Sequence, residues 1–382
     1  MLLILIFPQL LLATSTNLDV CLKNGESFSC RLFSSEIKIT RRDDHLYLNN
    51  NGSEKIIEIC SSKEKNSVDM FLNTLEVSFI PEEMKLFSID IKTMQIGQSG
   101  SGAGCFFNPT FITVDPLEHI YISDSGNDRI QILDSNGVYL NQFGSFGVSD
   151  FEEGNENEIS DSPKQATFNF PSGIAIATEI FVSDRDNHRI MKFDRFGNYL
   201  RSFGKFGTGD TEFDTPMGLD MDSLKNLYVA DSQNHRVKKY DLNGYMILKF
   251  GGFGKAPGRF IRPLSITHDN MNKIYVFDSG NKRIQKFDRT GGFLKVGPLI
   301  ENIDSKYVHD IHCINNIILI GEKNILYLYS LDLEYLGKYN LTGIREIYGI
   351  SSTENHIVLS DISSGKLVFV KYECKNLTYF NK

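Results

Sequence analysis

Short runs of β-branched and aromatic residues recur along the chain, and clusters of turn-forming residues separate them. In one stretch the runs MGLDMD, NLYVAD, RVKKYD and YMILKF follow one another, with the turn residues DSQN and DLNG in between. Short runs of this composition between turn residues are typical of β-strands, and no long helical period is present. The pattern predicts units of four antiparallel strands joined by tight turns.

One motif marks each of these units. DSGNDRIQILD returns with small changes as DRDNHRIMKFD, DSQNHRVKKYD and DSGNKRIQKFD. The asparagines of successive copies are 60, 47 and 47 residues apart. A period in the forties that is built from strands is typical of a β-propeller, in which each four-stranded sheet forms one blade.

Each residue type of the motif suits a structural task. An Asp at the end of a strand can accept hydrogen bonds from turn amides, an Asn tolerates the left-handed conformation, and an Arg offers a fork of donors. Because an active site would need such a set only once, four copies predict a role in the fold. The twelve residues are Asp124, Asn127, Arg129, Asp184, Asn187, Arg189, Asp231, Asn234, Arg236, Asp278, Asn281 and Arg283.

A second signature joins the units. FGSFG, FGKFG and FGGFG follow the fourth strands, each leads to a Phe-x-x-Pro sequence, and residues 96–109 match the same pattern. Glycines permit positive φ in the crossover between blades, and the Pro fixes the start of the next inner strand.

The repeat predicts six blades within residues 92–374, starting near residues 106, 168, 213, 260, 307 and 345. The last two units keep strands and a turn but lose the Arg. The sixth blade needs a fourth strand, which either NLTYF near the end or KTMQIG at 92–97 could supply. We favour residues 92–97, because pairing the start of the ring with its end removes a free sheet edge.

These spellings, Asp-x-x-Asn-x-Arg and FGxxG followed by FxxP, resemble NHL repeats, and the resemblance implies a six-bladed NHL propeller. Residues 17–91 do not match the repeat, but GESFSCRLF and NTLEVSFIPEEMKLFSIDI are similar to strands of a filamin-type immunoglobulin sandwich. That order of domains resembles the C-terminal part of tripartite-motif NHL proteins. We therefore expect an all-β chain with a small filamin-like sandwich before the propeller.

The resemblance implies a post-transcriptional regulator whose propeller binds RNA, single-stranded or hairpin, or protein. Relatives with a RING finger are ubiquitin ligases, but no RING or B-box array of Cys and His is present in this sequence. We therefore expect a binding module that is not an enzyme, with no cofactor and no metal. The alternative is a scaffold for protein partners or the substrate-recognition part of a ubiquitin ligase system.

Charge favours a local site. The chain carries a net charge of −8, which argues against nucleic-acid binding by the whole surface. Residues 168–297, however, contain 20 Lys and Arg against 14 Asp and Glu, a balance of +6, and an acidic insert lies at 150–161. A charged sector of this kind can steer a polyanion.

The variable residues of the motif lie in the turns between second and third strands, on the same side of each blade as the crossovers. We expect them to form a binding face. The variable residues of blades two to four are mostly basic, but the equivalent residue of blade one is the acidic Asp128. Aromatic residues near the inner strands, including Phe106 and Phe107, could stack bases, although packing between blades is the simpler interpretation. The candidate contacts are Arg185, His188, His235, Lys282, Arg262, Tyr307 and Tyr348.

A remote alternative comes from another resemblance, to secreted NHL propellers that include a peptide-amidating lyase with histidine-bound zinc. YVHDIHC places His309, His312 and Cys313 on one inner strand. The two histidines are three residues apart and face opposite sides of a strand, so a zinc site would need ligands from other blades.

The compartment depends on the first residues. MLLILIFPQLLLATST at 1–16 has the apolar run of a signal peptide but no basic start, and Pro8 interrupts it. A signal peptide and the start of a truncated gene model both stay open. The six cysteines include no CxxC pair, and we expect buried free thiols in the cytoplasm, with secretion as the alternative. We expect no membrane partner.

Overall fold

The computed structural model describes residues 21–24, 27–32, 35–42, 45–50, 53–58, 85–148, 166–297 and 304–376. The N-terminal part forms one antiparallel five-stranded sheet, in which each strand pairs with the next along the chain. Among these described strands there is no second sheet to complete a sandwich, so the filamin-like domain at 17–91 stays a prediction. The strands are β1 (Cys21–Asn24), β2 (Ser27–Leu32), β3 (Ser35–Arg42), β4 (His45–Asn50) and β5 (Ser53–Glu58).

The rest of the described chain is all β and forms six four-stranded sheets, which confirms the predicted six-bladed propeller. In blades one to five the strands follow chain order, with the first strand at the centre of the ring.

Residues Lys85–Ile96 form β6, which belongs to the last blade. Blade one contains β7 (Pro109–Val114), β8 (Ile120–Asp124), β9 (Arg129–Leu133) and β10 (Tyr139–Phe143). A short parallel pair in the crossover follows, β11 (Ser145–Phe146) and β12 (Thr167–Phe168). Blade two contains β13 (Pro171–Ile176), β14 (Ile180–Asp184), β15 (Arg189–Phe193) and β16 (Tyr199–Phe203).

The remaining blades repeat this order. Blade three contains β17 (Pro216–Met221), β18 (Leu227–Asp231), β19 (Arg236–Tyr240) and β20 (Met246–Gly251). Blade four contains β21 (Pro263–His268), β22 (Ile274–Asp278), β23 (Arg283–Phe287) and β24 (Phe293–Val296). Blade five contains β25 (Ile311–Ile314), β26 (Ile317–Glu322), β27 (Ile325–Ser330) and β28 (Tyr335–Asn340). Blade six contains β29 (Ile347–Ser352), β30 (His356–Asp361), β31 (Lys366–Asn376) and β6. Short 3₁₀ turns span Ser125–Asn127, Arg185–Asn187, Ser279–Asn281 and Ser305–Tyr307.

The sixth blade takes its outermost strand from before the first blade. Thr93 Oγ1 donates to the carbonyl of Thr342 at 3.1 Å, and Gln95 Nε2 donates to that of Gly343 at 2.9 Å. The strand β6 begins at Lys85, earlier than residue 92. The ring is thus closed by pairing between distant parts of the chain, and β6 covers the outer edge of β31.

Inner strands of neighbouring blades approach closely around the centre. A Cβ atom at Gly173 would lie 2.4 Å from the carbonyl oxygen of Met217, and one at Gly218 would lie 2.7 Å from that of Leu264. Glycine at the third position of β13 and β17 therefore permits the backbones to pack. The core between the blades consists of aliphatic and aromatic side chains from the three inner strands of each blade.

Candidate functional site

The turns between the second and third strands lie beside the crossovers from the preceding blades. In blade one, the amide of Gly126 donates to the carbonyl of Phe107 at 2.8 Å. In blade four, the amide of Gly280 donates to the carbonyl of Ile261 at 2.7 Å. We call the surface that these turns and crossovers form in blades one to four the crossover face. The turns between the first and second strands lie at the opposite end of each blade.

A buried Asp organises each turn. In blade two the Asp184 carboxylate accepts from the amide of Asn169 at 2.7 Å, from Nδ2 of Asn187 at 2.8 Å and from Nε of Arg189 at 2.7 Å. Arg189 also donates to the carbonyl of Thr167 at 2.8 Å. Burial raises the pKa of Asp184 to about 6, and the Arg189 charge opposes that rise. The same contacts recur in the other three copies of the motif. Each network fastens a crossover to its blade.

The glycines of the second signature fit the crossover against a buried ring. Gly204 has φ +99°, and a Cβ there would lie 2.4 Å from the ring of Phe213, which is completely buried. Gly251 has φ +102° and meets Phe260 in the same way. Only glycine tolerates both the positive φ and this close approach. The path of the crossover is therefore fixed.

Two of the predicted contacts, His188 and His235, have a structural task that the sequence argument did not assign to them. Each has a left-handed backbone, with φ of 53° and 56°. Nδ1 of His188 accepts from the amide of Thr215 at 3.1 Å, and Nδ1 of His235 accepts from that of Arg262, also at 3.1 Å. Both positions therefore serve the fold, because each imidazole links one blade to the next. Nε2 then carries the hydrogen and is a donor at the crossover face.

The cationic candidates lie on the same face. Arg262 and Lys282 are exposed and have left-handed backbones, with φ of 53° and 54°. Arg185 lies with its guanidinium 3.9 Å from the centre of the Phe170 ring, and its Nε is 2.7 Å from Asp186 Oδ1. The 3₁₀ turn that precedes Lys282 lies next to the turn that ends at Tyr307. Together with His188, His235 and Tyr307, these cationic side chains form an arc across blades two to five.

The aromatic candidates differ in exposure. Tyr348 is only 8% exposed, because the imidazole of His309 stacks on it at 4.1 Å and Phe111 packs edge-on at 5.7 Å. This burial argues against Tyr348 as a contact residue. Phe106 is completely buried, whereas Tyr307 is half-buried and has Nζ of Lys323 at 4.5 Å from its ring centre.

The sequence argument missed a set of phenylalanines on this face. The second Phe of each crossover signature is exposed: Phe146 at 65%, Phe206 at 57% and Phe253 at 71%. The signal was present, because each copy repeats an apolar residue between a variable position and a glycine. The sequence argument treated the signature only as a hinge and assigned no role to that ring.

The residues of the zinc alternative are engaged with protein groups. His309 stacks on Tyr348, Nε2 of His312 lies 2.9 Å from Ser352 Oγ, and the amide of Cys313 donates to Thr267. Burial lowers the pKa of both histidines to about 4. Within the described ranges, no group of three or more His, Cys, Asp or Glu side chains is placed to hold a metal ion.

Sequence comparisons agree with this architecture. Residues 106–133 match the NHL repeat, and residues 174–252 match a family described as a 6-bladed beta-propeller. The chain is similar to the protein brain tumor of Drosophila melanogaster, with 26% identity over 133 residues. That match covers 34% of this chain and 11% of the Drosophila protein, so the chain spans only a small part of that relative.

Solved structures share the fold. A gluconolactonase from Xanthomonas campestris has a TM-score of 0.52 at 10% identity, covering 71% of this chain and 88% of that chain. Regucalcin, a calcium-binding protein from Agrobacterium tumefaciens, has a TM-score of 0.51 at 12% identity, covering 73% and 96%. Such low identities show the fold alone. They nevertheless overturn the prediction that the chain is not an enzyme, because this propeller fold includes enzymes and gives no ground to exclude catalysis.

Two observations bear on the compartment. In the part of the chain with described structure, no helix has the length and apolar character needed to cross a membrane. Cys105 and Cys313 are free thiols and half-buried. The acidic insert at 150–161 and the segment 1–16 lie outside the described residues. The cytoplasmic location stays a prediction.

Proposed function

We propose that the propeller is a binding module that recognises RNA through the crossover face. The arc of cationic and imidazole side chains across blades two to four is the observation that supports it most. Arg185, His188, His235, Arg262 and Lys282 come from blades two, three and four, yet they share one face. The similarity to NHL repeats agrees with binding to RNA or protein.

The chemistry of the arc suits a phosphate backbone. Arg and Lys side chains neutralise phosphates and release counterions, and this makes affinity depend steeply on salt. The imidazoles add hydrogen-bond donors at Nε2 that can reach base edges or phosphate oxygens. Binding at one sector also reconciles a chain of net charge −8 with a polyanionic ligand.

The test is a titration of RNA pools at two salt concentrations with charge-reversal variants. Arg262→Glu and Lys282→Glu are the cleanest changes, because both side chains are exposed. Each should weaken binding by roughly tenfold and reduce the salt dependence. Lys225→Glu is a matched control, since Lys225 is also exposed and left-handed, with φ of 63°, but lies in a turn at the opposite end of blade three.

Unchanged affinity in Arg262→Glu and Lys282→Glu, or an equal loss in Lys225→Glu, would show that the crossover face is not the RNA site. The histidine variants are less informative, because changing His188 or His235 also removes a link between blades. A thermal unfolding curve of each variant separates loss of contact from loss of structure.

A protein-interaction scaffold is the second candidate, and one observation favours it. The outer strands carry an exposed apolar residue at the same position in blades one to four: Leu140, Leu200, Ile247 and Leu294. A partner that stays bound after nuclease treatment, and is lost when these four residues become Ser, would support this candidate over RNA.

A further inference from the structure

Three exposed phenylalanine rings stand at equivalent points of the crossovers into blades two, three and four. Phe146, Phe206 and Phe253 each pair through the backbone with the buried Phe that opens the next blade, namely Phe168, Phe213 and Phe260. One partner of each pair is completely buried and the other is largely exposed. In the crossover into blade one, Ser99 takes the corresponding place beside Phe106.

The outward direction of these rings is built into the backbone. The preceding glycines, Gly144, Gly204 and Gly251, have φ of +96° to +102° and lie directly on the buried rings. The exposed phenylalanine, two positions after each glycine, therefore points away from the core. Exposing a large apolar ring in this way opposes folding by the hydrophobic effect, yet the feature occurs in three successive blades.

The rings have polar neighbours. The imidazole of His188 meets Phe206 at 4.8 Å between ring centres and 64° between planes, and His235 meets Phe253 at 5.1 Å and 52°. Lys205, next to Phe206, is exposed as well. Phe206 and Phe253 are thus isolated rings between glycines and cationic or imidazole groups, whereas Asp128 takes the place of the histidine in blade one, beside the crossover of Phe146. Separate rings that alternate with donors and positive charge suit a single-stranded nucleic acid, whereas one large contiguous apolar patch would favour a protein partner.

We infer that Phe146, Phe206 and Phe253 are stacking platforms for unpaired bases, one for each crossover. The inference rests on the proposed RNA binding and narrows its ligand from single-stranded or hairpin RNA to unpaired RNA across blades two to four. In a duplex the faces of the bases are covered by their neighbours, so these rings could not reach them. Stacking on an aromatic ring tolerates any base, and the donors beside Phe206 and Phe253 supply the contacts to the backbone.

The test measures affinity for an unpaired RNA pool of roughly 12 nucleotides and for a duplex of the same length. Leucine at both positions 206 and 253 keeps the apolar contact but removes the π face. Phe206→Leu with Phe253→Leu should weaken binding to unpaired RNA by roughly a hundredfold, whereas Phe206→Trp with Phe253→Trp should preserve it. Unpaired RNA that contains 2-aminopurine should lose fluorescence on binding to the wild type but not to the leucine variant.

Phe196→Leu is the matched control. Phe196 is 71% exposed, like Phe253, but lies in the turn between β15 and β16 at the opposite end of blade two. Its change should leave affinity as it is. If the leucine variant binds unpaired RNA like the wild type while Arg262→Glu weakens it, the stacking inference is wrong and the proposed function survives. If the wild type binds no RNA, or prefers the duplex, the inference falls, and the first of these results removes the proposed function as well.

Discussion

Blades one to four and blades five and six attach the incoming crossover to the end of the second strand with different side chains. In blades one to four a buried Asp accepts the amide of the crossover, and an Arg of the next strand ties the crossover carbonyls. In blade five Glu322 accepts the amide of Asp304 at 2.8 Å and the hydroxyl of Tyr327 at 2.9 Å. In blade six Asp361 accepts the amides of Arg345 and Glu346 at 3.0 and 3.2 Å.

The difference separates the essential part of the motif from its additions. All six blades end the second strand with a buried carboxylate that accepts the amide of the incoming crossover. The Arg is added where the crossover carries a glycine-rich excursion with carbonyl groups that need donors. Blades five and six lack that excursion signature in sequence, and they also lack the Arg. The carboxylate thus belongs to the fold, whereas the Arg supports the crossover face.

The largest effect should come from removing a carboxylate that also holds buried cations. Asp231 is completely buried and lies 2.7 Å from Arg236 Nε and 3.6 Å from Lys238 Nζ. Asp231→Ala leaves both charges uncompensated and should cost about 3–5 kcal/mol. Asp361→Ala removes hydrogen bonds from three backbone amides and the Ser364 hydroxyl, without such a cation, and should cost about 1–3 kcal/mol. Urea unfolding measures both.

Equal losses of stability in the two variants, or a larger loss in Asp361→Ala, would contradict the view that only the carboxylate of blade three also balances buried cations. The double variant Asp231→Ala with Arg236→Met tests whether the uncompensated cation causes the loss. With the cation gone as well, part of the lost stability should return, because a buried charge without a partner costs more than its absence.

A second contrast concerns pH and two contacts between inner strands. Between blades three and four, Nδ1 of His268 lies 2.6 Å from Asp220 Oδ2, and that carboxylate, opposed by burial, raises the pKa of His268 to about 9. Between blades five and six, burial beside Ser352 lowers the pKa of His312 to about 4. Asp220 and the charge of His268 also act on His312, in opposite directions.

The signs follow from linkage. The folded state holds the proton of His268 more tightly than the unfolded state, so its contribution is complete below pH 6.5 and is lost as pH rises through 9. For His312 the unfolded state holds the proton more tightly, so stability is lost as pH falls from 6.5 towards 4. His268→Gln should flatten the alkaline limb and His312→Gln the acid limb of a plot of unfolding free energy against pH, each by about 3 kcal/mol. Slopes that persist in both variants would assign the pH dependence to other groups.

The fold could be predicted because its signals are local. The strand pattern, the turn residues of DSQN and the period of the motif lie within single blades, and the six-bladed ring follows from them. The links between blades could not be predicted. His188 reaches Thr215, 27 residues away, and nothing in the two local sequences indicates a hydrogen bond between them.

The site illustrates the same limit. The common side of the turns and crossovers follows from strand order, and the arc of Arg185, Arg262 and Lys282 lies there. Exposure does not follow from residue type, since Tyr348 is buried and Phe253 is not. Glu322 was missed because blade five shortens the turn after its second strand, which shifts the motif out of register. The exclusion of catalysis failed because a fold does not determine a function.

The smallest effect should come from exchanging residues that occupy the same position in blades three and four, which both keep the complete motif. Gln285 in blade four donates from Nε2 to the carbonyl of Arg259 at 2.7 Å and accepts the amide of Gly258 at 2.8 Å. At the same position of blade three, Lys238 donates to the carbonyls of Asp210, at 2.9 Å, and Glu212. Lys238 is completely buried, and this burial lowers its pKa to about 8.

Lys238→Gln should therefore change the unfolding free energy by less than about 1 kcal/mol, because the amide replaces one donor and removes the cost of burying a charge. Lys238→Met, which copies Met191 of blade two, leaves carbonyls without that donor and should cost about 1–2 kcal/mol. Urea unfolding of both variants at pH 7 decides between the two roles. If Met were tolerated as well as Gln, the donor would be dispensable and the residue would act as a spacer under the crossover. If Gln were as damaging as Asp231→Ala, the ammonium charge itself would hold the crossover, and blade three would differ in kind from blade four.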